Sequence, residues 1–331
     1  MSQFVQDGSY NGEKAVLMRF GDYEATILPE WGGNLIAFND VRRAYRFIRT
    51  PSSEEMDRFK SQPTVYGIPV LFPPNRYEDG QFKANGICYQ LPVNEPRTGN
   101  HLHGFLYNRP WQVVHMGQNA AEVFVELVHV IDAEDDIYAC FPHAFQITIR
   151  YSLSAEGLCQ KTTVKNTGSI QMPCMLGFHT AIHVPFAPNS SIKDYRCIIT
   201  IDKRLELSKR MLPTGKALPL SRKEVMMKTT GISPFFKPMD DHYTSAPQQN
   251  RNFMMLTDLR EGVTLVYDVG LQYKYWMIWN DEAKGGFFCP EPQTNMVNAP
   301  NVNTPMAKRG LYFLDPGETW SETSKMYTKQ V

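Results

Sequence analysis

Glu291 and the Asn75-Arg76 pair are side chains suited to proton transfer and to holding a ligand oxygen. Glu291 stands between two prolines at the end of the apolar run Phe-Phe-Cys-Pro-Glu-Pro-Gln. We expect a strand to meet a loop there, a position at which functional groups are often found. Asn75-Arg76 follows Phe-Pro-Pro, and its guanidinium is a multiple hydrogen-bond donor. Each residue alone also fits an ordinary role, as a solvated glutamate or a loop anchor.

The eight histidines are clustered, and a metal site has to be considered. His101 and His103 would face the same way on a strand. A cupin-like metal site, however, needs a glutamate shortly afterwards, and the residues up to Trp111 supply none. His179 and His183 could converge only on a helix, yet a proline two residues after His183 favours an extended segment. We therefore expect no bound metal.

Asp240, Asp241 and His242 form another polar group, in a proline-rich segment. Adjacent acids in such a segment are usually solvated. The chain also has 5 Trp, 16 Tyr and 19 Phe. Aromatic rings beside Asn, Asp, Arg and His suit a sugar site, where hydroxyls are hydrogen-bonded and C–H faces pack on rings. Aromatic residues are equally typical of an ordinary core, so both interpretations stay open.

The elements that must position these groups are predicted to be strands. Apolar and polar residues alternate over 145–153, 123–127 and 263–267, which is typical of half-buried strands. The stretch 273–279 is rich in aromatic residues, as strands are. Helix signals are few, and the best is the capping-box spacing of Ser52 and Glu55.

The pattern favours an all-β chain over repeated βαβ units. Neither a dinucleotide fingerprint nor a phosphate-binding loop is present. The proline-rich stretch 233–247 is interpreted as a long loop rather than a domain boundary, because similar strand patterns flank it.

Composition excludes several other classes of protein. The 34 basic and 34 acidic residues balance, and the pI is near 7.1, which argues against a general nucleic-acid binder. Neither a secretory leader nor an apolar run long enough for a membrane helix is found. The six cysteines form no Cys-x-x-Cys pair and are interpreted as reduced thiols. We expect a cytoplasmic protein with no nucleic-acid or membrane partner.

Several segments, taken together and in order, resemble the aldose 1-epimerase (galactose mutarotase) family. The similarity runs from about residue 28 to residue 327. The matching pieces are residues 29–35, 75–94, 100–104, Trp111, 177–179, 241–242, 290–293 and 314–318.

This resemblance implies a single domain over residues 1–331, a large all-β β-sandwich of the galactose mutarotase-like supersandwich type. It implies no cofactor, a small-molecule sugar (hexose) as partner, and a monomer or homodimer. The activity it implies is interconversion of the α and β anomers of a free hexose by ring opening and reclosure.

The resemblance also assigns roles to residues. By it, Glu291 is the general base and His179 the general acid. Arg76 (with its neighbour Asn75), His103 and Asp241 would hold the sugar. An ionised glutamate and a histidine can take opposite roles near neutral pH, because their reference pKa values are about 4.3 and about 6.5.

The sequence departs from the family pattern beside both catalytic candidates. Ala181 and His183 replace the usual Tyr and Asn after the acid histidine, and Val297 and Asn298 replace Pro and Asp after the base. These changes leave two alternatives open. One is a sugar-binding or sensing protein of the same fold without catalysis. The other is an epimerase of a modified or phosphorylated sugar.

Overall fold

The computed structural model describes residues 3–331 and consists mainly of short antiparallel strands. Met1 and Ser2, part of the N-terminal segment interpreted as lacking a secretory leader, lie outside the described residues. The strands in chain order are β1 (Gln3–Tyr10), β2 (Glu13–Phe20), β3 (Tyr23–Leu28), β4 (Asn34–Asp40), β5 (Tyr45–Arg46), β6 (Val70–Leu71), β7 (Arg76–Glu78), β8 (Gln81–Ala84), β9 (Ile87–Gln90), β10 (Asn100–Leu102), β11 (Gln112–Gln118), β12 (Glu122–Ile131), β13 (Phe145–Ser154), β14 (Gly157–Asn166), β15 (Met172–Cys174), β16 (Gly177–Phe178), β17 (Ile182–Val184), β18 (Tyr195–Ile199), β19 (Ile201–Leu207), β20 (Pro213–Leu218), β21 (Asp240–Ser245), β22 (Phe253–Asp258), β23 (Val263–Asp268), β24 (Tyr275–Trp279), β25 (Gly286–Gln293), β26 (Tyr312–Leu314) and β27 (Thr319–Gln330). The α-helices are α1 (Met56–Ser61) and α2 (Arg222–Lys228).

Most of these strands belong to larger antiparallel sheets. The N-terminal sheet has the order β1-β2-β3-β4-β5. A second sheet has the order β11-β12-β13-β14-β27-β23-β22-β18. A third has the order β20-β19-β21-β24-β25-β16-β6, and β17 also pairs with β25. Two-stranded ribbons pair β7 with β10, β8 with β9, and β15 with β26.

The main hydrophobic core lies between the second and third sheets. Ile147 and Ile149 of β13 belong to the same buried cluster as Trp276 and Ile278 of β24. Burying one such side chain contributes about 1.5–3 kcal/mol. The indole N–H of Trp276 donates to the Asn252 side-chain oxygen at 3.1 Å, so the indole is satisfied inside the core. One face of β24 therefore packs in the core. The side chains of its other face can line a binding site.

The prediction of an all-β sandwich with few short helices is confirmed. The alternating stretches form β12, β13 and β23, and the aromatic stretch forms β24. Glu55 accepts a hydrogen bond from the Ser52 N–H at 3.0 Å, immediately before α1, as the capping-box spacing indicates. No helix within residues 3–331 is long and apolar enough to cross a bilayer.

Two details of the sequence interpretation are wrong. The stretch 233–247 is not one loop, because β21 occupies its second half and pairs with β24. Its residues are polar on both sides of the strand, so no alternation marks it. Glu291 lies inside β25 rather than after it, opposite Met277. The flanking prolines hid this, since proline is uncommon inside paired strands.

Gly104 sits where two distant segments cross at backbone distance. Its φ is +71°, and a Cβ atom there would lie 2.1 Å from the carbonyl oxygen of Phe72. The Phe105 N–H also donates to that oxygen, at 3.1 Å. Only glycine fits this contact, which fixes the backbone directly after His103.

We predict that Gly104→Ala destabilises the fold by roughly 3 kcal/mol or more, since backbone must move to accept the methyl group. Gly86→Ala is the matched control, because its φ is +80° and nothing lies within 4 Å of its Cβ position. It should cost only the left-handed strain, about 1–2 kcal/mol. Urea unfolding measures both. Equal losses would contradict the close-contact argument.

Candidate active site

Neighbouring strands of the third sheet build the floor of the candidate site. Asp240 of β21 lies opposite Trp279 of β24, and Met277 lies opposite Glu291 of β25. Directly paired residues share a face, and so do residues two apart on a strand. Asp240, Trp279 and Glu291 therefore lie on one face, opposite the core face that carries Trp276.

His179 meets Glu291 on this face. It follows β16, and its N–H donates to the Pro69 carbonyl at 3.0 Å. Its Nε2 lies 3.2 Å from Glu291 Oε1. The second oxygen of Glu291 accepts from the Gln293 side-chain amide at 3.4 Å. Both His179 and Glu291 are buried, at 4% and 1% exposure. The structure thus joins two groups that are far apart in the sequence.

Asn75 fixes the backbone that positions Arg76 and His103. Its φ is +59°, and its side-chain oxygen accepts from the Arg76 N–H at 2.9 Å. Its carbonyl accepts from the His103 N–H, also at 2.9 Å. The His103 ring packs edge-on against His179, with centroids 5.1 Å apart. Asn75, Arg76 and His103 are thus brought to the Glu291–His179 pair.

Asp241 is the predicted site residue that the structure does not bring to this face. The register places it opposite Ile278, on the core side of the sheet. Its carboxylate contacts Lys237 Nζ at 2.6 Å and accepts from the Tyr243 hydroxyl at 3.4 Å. The neighbouring Asp240 is instead 3.6 Å from Arg76 Nη2. Asp240 and Asp241 lie on opposite faces, because successive residues of a strand point to opposite sides of the sheet.

Burial sets the proton distribution in the pair. It raises the pKa of Glu291 well above its usual range; the charge of Asp240 adds to this effect, and Arg76 opposes it. Burial also lowers the pKa of His179 to about 4. Both directions follow from the cost of holding a charge away from water. They favour a protonated Glu291 beside a neutral His179.

His103 is also held neutral. Burial lowers its pKa well below the usual range, and His179 and Arg76 add to the effect. Its Nδ1 is buried without a hydrogen-bond partner. A neutral imidazole with a free nitrogen beside the catalytic candidates is suited to bind a hydroxyl group.

Trp279 forms a wall of the site that sequence reasoning left undecided. Its ring lies 5.9 Å from that of His179 and 5.5 Å from that of Phe287. His101 and His183 have other surroundings. His101 Nδ1 contacts the Pro92 carbonyl at 2.7 Å, and His183 pairs with Phe287 in the sheet.

Glu95 is the functional candidate that sequence reasoning missed. Its carboxylate accepts from Arg76 Nε and Nη2 at 2.9 and 3.0 Å. It lies in a loop, and no local pattern distinguishes it from a solvated glutamate. Asp240 was not singled out either, because the segment 233–247 was interpreted as a loop and no strand face was assigned to it.

A metal site would need several histidine, cysteine or carboxylate side chains to converge. Within residues 3–331, no three His, Cys, Asp or Glu side chains converge as ligands would. His101 and His103 do not act together, because one contacts a carbonyl and the other packs on His179. The cupin-like alternative therefore has no ligand set in the described part of the chain.

The fold and this face define a β-sandwich protein with a buried carboxylate–imidazole pair beside an arginine. The family model described as aldose 1-epimerase matches residues 14–327. The chain belongs to the aldose 1-epimerase family. A crystal structure of a galactose mutarotase-like protein from Clostridium acetobutylicum is 33% identical, covers 99% of each chain and superposes with a TM-score of 0.95.

Matches to curated relatives are partial. The uncharacterized protein YihR of Escherichia coli is 29% identical over 168 residues, which is 50% of this chain and 49% of YihR. A maltose epimerase of Levilactobacillus brevis is 25% identical over 194 residues, covering 57% of this chain and 54% of that protein. The chain thus spans about half the length of the curated relatives it matches.

We predict that the free energy of unfolding falls as the pH drops from about 6.5 towards 4. Burial lowers the pKa of His143 and His183 to about 4 and that of His242 to about 3. The unfolded chain binds these protons near pH 6.5, so it takes up more protons than the fold in this window. Each histidine contributes about 1.4 kcal/mol per pH unit at most. His179 is left out of this sum, because its lowered pKa is balanced by the raised pKa of Glu291, which holds a proton in the fold.

Urea unfolding at several pH values between 4.5 and 6.5 measures this dependence. His183→Gln removes one histidine away from the Glu291–His179 pair and should reduce the slope by that one contribution. Coincident slopes for the variant and the unmodified protein would show that burial of His183 does not shift its pKa.

Proposed function

We propose that this protein is an aldose 1-epimerase, an isomerase that interconverts the α and β anomers of a free hexose. The observation that carries the proposal is the 3.2 Å contact between His179 Nε2 and Glu291 Oε1 in a buried site. Anomer exchange needs one group to take a proton and one to give a proton. This pair supplies both.

Ring opening uses the two groups in opposite senses. Glu291 takes the proton of the C1 hydroxyl while His179 gives one to the ring oxygen. The C1–O5 bond then breaks and C1 becomes an aldehyde. Each well-placed acid or base contributes roughly 10²–10⁴-fold to the rate.

The protons must be arranged before the ring opens. Burial favours the proton on Glu291 in the free site, whereas opening needs it on His179. The two arrangements have the same net charge, and the proton has only the 3.2 Å contact to cross. A sugar hydroxyl donating to the carboxylate, and Arg76 beside it, favour the ionised form of Glu291.

Reclosure reverses the roles. Rotation about the C1–C2 bond presents the other face of the aldehyde. His179 takes the proton of the C5 hydroxyl, and Glu291 returns one to the aldehyde oxygen. The protons are back where the cycle began, so the proposal needs no cofactor.

The remaining groups are proposed to hold the sugar. Arg76 and the neutral His103 face the pair and offer donors or acceptors to hydroxyls, with Asn75 fixing their backbone. Asp240 takes the part expected of Asp241. Trp279, half-buried beside His179, offers an apolar face to the sugar C–H groups.

The charges favour a neutral sugar over a phosphorylated one. Arg76 lies between the carboxylates of Glu95 and Asp240. Acids thus outnumber the cation at this end, and a phosphate there would meet like charge. Lys237 is bound to Asp241 on the far side of β21 and does not change this balance.

The contact between His179 and Glu291 supports the catalytic proposal over the binding-only alternative. That alternative was motivated by the altered surroundings of His179. Ala181 is buried, with its N–H on the Gly67 carbonyl, and Val297 donates its N–H to His242 Nε2. Neither separates Glu291 from His179. A cytoplasmic location and a monomeric or homodimeric state stay predictions.

The first test follows the optical rotation of fresh α-D-glucose, α-D-galactose and maltose at low temperature in weak buffer. Maltose is included because one curated relative is named a maltose epimerase. We expect faster relaxation to an unchanged endpoint with at least one sugar. Glu291→Gln should lower that rate by roughly 10²–10⁴-fold. Its sugar binding, followed by the fluorescence of nearby Trp279, should persist. Full activity in this variant would refute the assignment.

A second test separates the two neighbouring acids. Asp240→Asn should raise KM by roughly tenfold, since a charged hydrogen bond contributes about 1.5–3 kcal/mol. Asp241→Asn is the matched control, one residue away but on the other face, and should leave KM unchanged while lowering stability. The opposite result would restore the family-based assignment to Asp241.

A further inference from the structure

Arg76 is held by a bidentate clamp that leaves only part of its guanidinium free. Glu95 accepts from Arg76 Nε at 2.9 Å and from Nη2 at 3.0 Å. The fork geometry fixes the plane of the guanidinium, which a single bond does not. The hydrogen-bond donors left for a ligand are those of Nη1 and the N–H of Nη2 on the side of Asp240.

The clamp is itself held in place. The Thr98 hydroxyl donates to a carboxylate oxygen of Glu95, and the Asn100 side-chain amide donates to Thr98 Oγ1 at 3.0 Å. The side-chain amide of Asn100 also donates to the carbonyl of Arg210, at 2.8 Å. These bonds connect the Glu95 loop to the turn between β19 and β20.

Arg210 makes most of the contacts between that turn and the Glu95 loop. Its Nε donates to the Thr98 carbonyl at 2.8 Å, and its Nη2 donates to the Gly99 carbonyl at 3.0 Å. It also binds the side chains of Glu78 at 3.1 Å and Asp79 at 2.7 Å. Arg210 thus ties the loop that carries Glu95 to the strand that begins with Arg76.

We propose that Glu95 and Arg210 are positioning residues that act on the sugar through Arg76. This inference rests on the proposed function and adds to it. Glu95 sets the plane and the net charge of the Arg76 guanidinium. Arg210, which contacts neither Glu291 nor His179, fixes the distance between the clamp and the strand of Arg76.

The clamp also has an electrostatic effect. Arg76 lowers the pKa of Glu291 and that of His179, so its charge acts on both catalytic candidates. Glu95 partly neutralises that charge. Its removal should therefore increase the influence of Arg76 and shift the acidic limb of the kcat/KM profile to lower pH.

Steady-state anomer exchange tests the proposal with Glu95→Gln and Arg210→Met. Both should raise KM by roughly tenfold with a smaller change in kcat, because an arginine that loses its orientation binds substrate less well. Glu95→Gln should in addition shift the pH profile. The double variant should be no worse than the poorer single variant, because both changes release the same guanidinium.

Glu122→Gln provides the matched control. Glu122 forms a two-bond pair with Arg150, at 2.6 and 3.3 Å, on β12 and β13 of the second sheet. The Glu122→Gln variant loses a carboxylate–arginine pair of the same kind as Glu95→Gln does. It should leave KM, kcat and the pH profile unchanged. If the clamp variants behave like this control and only their melting temperatures fall, the positioning role is refuted while the epimerase proposal stands.

A readout independent of turnover separates the two proposals. In protein with ¹⁵N-labelled arginine, the Arg76 Nε–H should exchange slowly with solvent, and Arg210→Met should accelerate this exchange severalfold. If the unmodified protein accelerates no sugar, the proposed function fails, and this exchange still decides whether Arg210 restrains Arg76. Unchanged exchange in Arg210→Met would overturn the inference.

Discussion

The buried contact between Glu291 and His179 is the constraint on which the other features of the site depend. An isolated charge in such a place costs several kcal/mol, so a carboxylate or an imidazolium alone would be unstable there. A pair that shares one proton is neutral overall in either arrangement. The pair can therefore be buried away from water and still exchange a proton. The nearby Arg76 and Asp240 then adjust the balance without adding an unpaired charge.

The sheet supplies this environment through its period of two. On β24, Trp276 enters the core and satisfies its N–H there, while Trp279 faces the site. The same alternation separates Asp240 from Asp241. A register slip of one residue would exchange the core face with the site face. The packing that stabilises the sandwich thus also fixes which side chains meet the ligand.

Sequence reasoning reached an all-β chain because alternation is a local signal, clear over residues 145–153. It reached the sandwich through the family resemblance. It reached Glu291 and His179 only through the family resemblance, since nothing local says that they meet. The resemblance assigned the sugar-binding acid to Asp241. Because β21 is polar on both sides, no alternation in the sequence shows that Asp240 is the acid on the face of Glu291. Sequence reasoning did not single out Glu95. Its proposed role depends on a contact with Arg76 that only the folded chain creates.

The proton arrangement of the free site has a consequence for the proposed reaction. A protonated Glu291 beside a neutral His179 is the state that the cycle reaches after the ring has opened. Burial therefore favours the protonation states that Glu291 and His179 have after the ring has opened. It disfavours the states they need when the closed sugar binds. An enzyme gains rate from interactions that improve as the reaction advances from the ground state. Measured from the free site, desolvation supplies no such gain, because the proton must first be moved to His179 against the same preference. The proposed reaction therefore depends on the sugar hydroxyl and Arg76, which favour the ionised form of Glu291 and so offset the effect of burial.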